Sequence, residues 1–188
     1  MRSGDWQRRL DIWTDTDALL TLLPELIALR GVRQSAEFHA EGDVYTHTRL
    51  AVNAVDPATD ERVFWAVLLH DIGKPATTEC VNGCWRSHGH VQKSAEMVPP
   101  ALKRLALGRL IEDVVWLVKH HHFVFDWGAP ALVQLTPRQK RFCALPLFPL
   151  LVAVCRADAV ASIGSSRKGE MLESILRQLA DKNRESHA

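Results

Sequence analysis

The residues of this 188-residue chain that could do chemistry are dispersed histidines and aspartates: His47, the adjacent pair His70 and Asp71, His90, His121 and Asp158. The pair closes an almost unbroken apolar run within FWAVLLHDIGKP, residues 64–75, and Gly73 with Pro75 stops that run. A helix that is apolar all round belongs in a core. There an imidazole and a carboxylate are costly to desolvate, and a metal ion is the most economical compensation.

The other candidates also fall at inward positions of helical segments. His47 shares a stripe with Leu50, Ala51, Ala54 and Val55; taken alone, it reads as a hydrogen-bonded core histidine sooner than as a ligand. In the triple histidine 120–122, helical phase with Val114, Leu117 and Val118 favours His121 as the inward member. Asp158 continues the stripe of Leu150, Leu151, Val154 and Cys155 and therefore needs a partner. Several buried imidazoles and carboxylates would each require separate compensation, whereas one metal centre satisfies them together. Mixed nitrogen and oxygen ligation suits Mn, Fe, Co, Ni or Zn better than Mg or Ca. Consecutive residues cannot point the same way on a helix, so the end of the helix must turn His70 and Asp71 toward a shared ion.

The elements that must position these residues are nearly all of helical period. Residues 16–30 predict a helix closed by Gly31 and split or kinked by Pro24, followed by a loop over 32–42. Asp43 is the expected N-cap of a helix ending before the Asp56-Pro57 pair. The central helix spans about 60–72, with Gly73 as its expected C-cap. Asn82-Gly83 marks a small hairpin near residues 77–87. A helix after His90 is expected to be interrupted at Pro99-Pro100, another runs from 109 into the histidines, and 123–135 reads as a loop. Thr136-Pro137-Arg138-Gln139 is a capping-box start, Pro149 opens the helix that carries Asp158, and 169–180 forms the last. The expected fold is an all-α bundle, a single domain over 1–188 with its core at about 16–180.

Composition narrows the function. Lys plus Arg number 23 against 22 Asp plus Glu, so any nucleic-acid contact must be local. The longest apolar run, residues 144–155, is broken by Pro146 and Pro149, and no signal stretch precedes it; no membrane span is expected. Cys80, Cys84, Cys143 and Cys155 make no disulfide framework, and the C-x3-C spacing of the first two lacks the second pair a structural zinc needs. A reduced, cytoplasmic protein is the expectation.

The order His47, His70-Asp71, Asp158 resembles the signature of the HD superfamily of metal-dependent phosphohydrolases, an all-helical fold. The stretches HAEGDVYTHT (39–48), HDIGKP (70–75) and RSHGH (86–90) are similar to corresponding stretches in the HD domain of bacterial CCA-adding tRNA nucleotidyltransferases, and in HD domains fused to polynucleotide kinases. No P-loop is present. The resemblance implies the HD activity alone, hydrolysis of 2′,3′-cyclic or terminal 2′- or 3′-phosphates of nucleotides or of an RNA 3′-end.

It further implies that His47, His70, Asp71 and Asp158 hold a first divalent ion. His90 and His121, or His122 in its place, would add a second, with Asp71 as the bridge. Two ions about 3.5–4 Å apart would activate a water and stabilise the leaving oxygen. Asp71 and Lys74 are then the candidate catalytic residues, and Lys74, Arg86 and His88 the candidate substrate contacts. The alternative for both cations is a solvated surface charge. Glu41 and Asp43 either orient His47 or cap its helix, with capping favoured for Asp43. Trp85 and Trp127 lie near the proposed ligands and could stack on a base, though core packing is the simpler role. Two other functions remain: a di-iron oxygenase on the same fold, and a non-catalytic module that binds a nucleotide or RNA end.

Overall fold

Asp60 starts the central helix by accepting a hydrogen bond from the Arg62 backbone N–H at 2.9 Å, a cap worth about 1 kcal/mol. The helix Glu61–Leu69 then buries every side chain from Val63 onward. A computed structural model describes residues 21–128 and 134–185, with side chains to residue 180. In chain order its helices are α1 (Pro24–Ile27), α2 (Val44–Asn53), α3 (Glu61–Leu69), α4 (His90–Arg104), α5 (Ile111–His120), α6 (Phe123–Asp126), α7 (Pro137–Cys143), α8 (Phe148–Ala161) and α9 (Lys168–Glu185). Among the described residues one antiparallel hairpin, β1 (Thr78–Val81) and β2 (Cys84–Ser87), accompanies them. The protein is all-α, as its periodicity predicts, and among the described residues no single helix is long and apolar enough to cross a membrane.

Helix α3 is sheathed by α2, α5 and α8, while α4 lies along α5 and α9 along α8. Leu68, Leu69, Leu117, Leu151 and Leu172 interlock at this junction with almost no exposure, each burial contributing about 1.5–3 kcal/mol. The capping box at Thr136 and Gln139 forms as the sequence predicts. At the hairpin, Asn82 (φ 51°) and Gly83 (φ 77°) both adopt the left-handed conformation that a tight two-residue turn demands. Cys80 pairs with Trp85 and Cys84 with Val81, so the two cysteines project from opposite faces and cannot share a metal.

Several local expectations are corrected. Part of the predicted 16–30 helix lies outside the described residues; within them Leu23 leaves helical geometry (φ −137°, ψ 65°) and Pro24 begins α1 anew, because a proline ring crowds the helical conformation of the residue before it. Conversely, Pro99 and Pro100 do not interrupt α4, which runs unbroken to Arg104. Burial of Val98, Ala101 and Leu102 around them outweighs the lost ladder bonds. The inner face of α2 comprises Val44, His47, Thr48, Ala51 and Val52, with Ala54 exposed; Thr48 is admitted because its hydroxyl donates to the Val44 carbonyl at 2.8 Å. Residues 123–126, expected in a loop, form α6. Gly73 is right-handed (φ −82°) and is no C-cap. It is required by close approach, since a Cβ there would lie 2.5 Å from Ser94 N and 2.6 Å from His90 O.

Candidate metal centre

The regular hydrogen bonding of α3 ends at Leu69, and the chain then tightens, with Lys74 N donating to Asp71 O at 2.9 Å. This turn brings two consecutive side chains together, His70 Nε2 standing 3.1 Å from Asp71 Oδ2. His47 from α2, His90 from the start of α4, His121 from the end of α5 and Asp158 from α8 converge on them, and all six side chains are buried. His47 Nε2 is 3.0 Å and His70 Nε2 3.9 Å from Asp158 Oδ1. His90 Nε2 is 3.5 Å from the other side of Asp71, at Oδ1. The ligand atoms of His47, His70 and Asp71 lie within 4.8 Å of one another, as do those of His70, His121 and Asp158, and those of His90, His121 and His122.

The outward nitrogens of these rings are anchored. Nδ1 of His70 donates to Val67 O at 2.7 Å, that of His90 to Ser87 O at 2.7 Å, and that of His121 to Val118 O at 2.6 Å. With its Nδ1 proton so committed, each neutral ring presents a lone pair at Nε2. Those three Nε2 atoms and Oδ1 of Asp71 are buried without a hydrogen-bond partner, while Asp71 Oδ2 faces the Lys74 ammonium at 2.7 Å. Lone pairs converging on lone pairs repel, and a cation among them converts the same arrangement into coordination. The residues present therefore fit a divalent metal, and the two sides of Asp71 offer it to two neighbouring groups of ligand atoms.

Charge balance supports this. Burial disfavours the Asp71 carboxylate, but its neighbours His70 and the Lys74 ammonium outweigh it and hold its pKa well below the usual range. For Asp158 burial is likewise outweighed, by Lys168 and His47. Burial first, then the Lys168 charge, drives His121 well below its ordinary value; burial is also the largest cause of the lowering at His90 and His122. These rings are held neutral, ready as ligands. His47 differs: burial opposes its charge, yet hydrogen bonds to Asp158 and Glu41 raise it to about 9.

Glu41 orients His47. Its Oε1 accepts from His47 Nδ1 and from His39 Nδ1, each at 2.7 Å, and its Oε2 accepts from Ile163 N at 3.0 Å. Asp43 caps α2 through Thr46 N at 2.9 Å and also accepts from Gly31 N at 2.7 Å. Lys74 is buried, its Nζ 2.7 Å from both Asp71 Oδ2 and Gln34 Oε1; this is no solvated cation. Arg86 and His88 are exposed and stand outside the buried cluster. His120 turns away, its Nδ1 donating to Trp116 O at 2.7 Å. His122 comes closer than its helical phase suggests, with ring centroids 4.4 Å from His121 and 4.8 Å from His90, because α5 ends at His120 and the turn to α6 redirects it.

Lys168 is the residue missing from the sequence reading. It is buried, and its ammonium binds Asp158 Oδ2. The signal was present, since Lys168 precedes Met171, Leu172 and Ile175 on the buried stripe of α9. Gln34 and His39 gave no comparable signal.

Residues 42–163 match the HD domain family. The chain is 32% identical over 166 residues to the "Multifunctional CCA protein" of Paraburkholderia phytofirmans, covering 86% of this chain and 40% of that protein. It is 33% identical over 162 residues to the protein of that name from Burkholderia cenocepacia, covering 84% and 39%. In Paraburkholderia phymatum the figures are 31% over 176 residues, 91% and 42%. The chain thus spans about two-fifths of the length of these relatives.

Proposed function

The chain belongs to the HD domain family, and on that premise we propose that it is a metal-dependent phosphohydrolase acting on nucleotides or RNA 3′-ends, as a 2′,3′-cyclic phosphodiesterase, a 2′- or 3′-phosphatase, or both. The observation that carries this reading is the set of four buried, unpartnered atoms, Nε2 of His70, His90 and His121 with Oδ1 of Asp71. His47 and Asp158 complete the proposed ligand set, with His122 beside His121. The relatives' names point to the substrate class: proteins called "Multifunctional CCA protein" direct attention to RNA ends.

Bound divalent ions, with two the proposed number and Mn, Co, Ni, Fe or Zn the candidates, supply a nucleophile at neutral pH and Lewis acidity at the phosphoryl group. The protein supplies position and charge. The carbonyls of Val67, Ser87 and Val118 hold three imidazoles in the ligating tautomer, and Glu41 does so for His47. Asp71 bridges the two groups of ligands. Lys74, steadied by Gln34, places an ammonium beside them where it can neutralise a substrate phosphate. Arg86 and His88, exposed at the hairpin and its exit, are available only to parts of a substrate that extend outside the cluster.

The test is a panel of 2′,3′-cyclic nucleotides, nucleoside monophosphates and end-phosphorylated RNAs assayed with each candidate metal. Phosphate release or ring opening should occur in the wild type and be lost in His70→Ala and Asp71→Ala. Activity that survives both substitutions refutes the assignment.

A further inference from the structure

The segment before α2 and the hairpin each carry, close in sequence to a residue that contacts the cluster, a side chain that the ligand set does not use. Arg33 precedes Gln34, whose Oε1 accepts from Lys74 Nζ. Trp85 lies in β2 two residues before Ser87, whose carbonyl accepts from His90 Nδ1. The two meet, with Arg33 Cζ over the Trp85 ring and 5.5 Å from its centroid.

Neither group is consumed by packing. Arg33 is exposed and has no carboxylate partner among the described residues, unlike Arg62, Arg104, Arg109, Arg156 and Arg167. Trp85 is half-buried, with the exposed Arg86 next to it. The other described tryptophans are committed elsewhere: Trp65 is buried in the core, and Trp116 and Trp127 pack on Phe142. A half-exposed indole topped by an unneutralised guanidinium offers a planar, cationic platform. Bases stack on such surfaces in a sequence-tolerant way, and the guanidinium adds attraction for the phosphate chain. A chain of net charge +1 has no general affinity for polyanions, so a local platform is what selectivity for a nucleotide requires.

We propose that Arg33 and Trp85 form a nucleoside subsite, on which the base of the terminal nucleotide stacks while its 2′- or 3′-phosphate reaches Lys74 and the metal ligands. The subsite rests on the phosphohydrolase reading and narrows it, making a base beside the scissile phosphate part of what is recognised. A mononucleotide and an RNA 3′-end share that chemistry, and both are included in the test.

The experiment uses the full chain, metal-loaded, as wild type, Trp85→Ala, Trp85→Phe and Arg33→Ala. Substrates are adenosine 2′,3′-cyclic phosphate, a short RNA ending in a 3′-phosphate, and the baseless glycerol 2-phosphate. Trp85→Ala should raise KM for the two nucleotide substrates by about 5- to 100-fold, the loss expected for one stacked base, with kcat within about 2-fold. Trp85→Phe should recover most of the affinity, Arg33→Ala should raise the same KM values, and glycerol 2-phosphate should be unaffected. Equal effects on all substrates, or on none, overturn the subsite and leave the phosphohydrolase reading standing. If the wild type neither releases phosphate from any substrate nor opens the cyclic phosphate, that reading fails. Calorimetric binding of adenosine 3′-monophosphate then decides the subsite: weaker binding in Trp85→Ala supports it, and unchanged or absent binding overturns it.

Discussion

Removing the Glu41 carboxylate tests whether an orienting group controls the proposed metal site. Its Oε1 holds His47 Nδ1 at 2.7 Å in a buried pair, while the bonds to His39 Nδ1 and Ile163 N lie nearer solvent. A hydrogen bond to a charged group contributes about 1.5–3 kcal/mol when buried, and less near solvent. Glu41→Ala should therefore destabilise the metal-free protein by about 2–4 kcal/mol. Freed from Glu41, His47 can rotate or change tautomer, and loss of such an orienting partner typically weakens metal binding by about 10- to 100-fold. Glu41→Gln keeps an acceptor without the charge and should fall between. Calorimetric titration with Mn2+ and urea denaturation of the metal-free protein measure the two effects separately. The acid limb adds a check. Burial opposes ionisation of Glu41, but hydrogen bonds from His47 and His39 hold its pKa at about 2, below its ordinary 4.5. Its contribution is thus present above pH 4.5 and lost as pH falls through about 2, and Glu41→Ala should flatten that window. If Glu41→Ala binds Mn2+ as tightly as wild type and matches its stability, the orienting role is refuted.

Three further outcomes follow from the same geometry. Because hydrogen bonds and nearby carboxylates raise His47 from 6.5 to about 9 against the effect of burial, its stabilisation is complete below pH 6.5 and lost as pH rises through about 9. The metal-free protein should soften over that range, and Mn2+ binding at pH 7.5 should release about one proton; calorimetry in buffers of different ionisation enthalpy checks this, and zero release contradicts it. Lys168→Met leaves one Asp158 oxygen buried without its ammonium, so the metal-free protein should lose about 3–5 kcal/mol, and Mn2+ should raise its Tm more than that of wild type; equal shifts in thermal melts argue against the pairing. Gly73→Ala places a methyl against the backbone of Ser94 and His90, which should cost about 1–3 kcal/mol and weaken Mn2+ binding through displaced His90; a urea midpoint at the wild-type value shows that the approach is looser than described.

Much of this protein is legible along the chain because the relevant signals are local. Caps at Asp43 and Thr136, the Asn82-Gly83 turn and the apolar stripes of α3, α5 and α8 each involve residues a few positions apart. Inward-facing histidines and aspartates on those stripes were visible for the same reason. Where local preference and packing conflict, local reading failed: Pro99 and Pro100 sit inside α4 because burial on either side outweighs the broken ladder. The requirement for Gly73 was also hidden, being a contact with α4 rather than a turn conformation.

The sequence by itself determined most of the helices, most of the phases of their inner faces and the stock of imidazoles and carboxylates those faces carry. Only the tertiary structure decided which of these meet and what stands behind them. His47 and Asp158 are 111 residues apart, Lys74 is buried by Gln34 and Asp71 rather than solvated, and Lys168 reaches Asp158 from a neighbouring helix. Periodicity fixes the direction of a side chain about its own helix axis, whereas its partner depends on how whole helices pack, and that is set by the sum of contacts across the core.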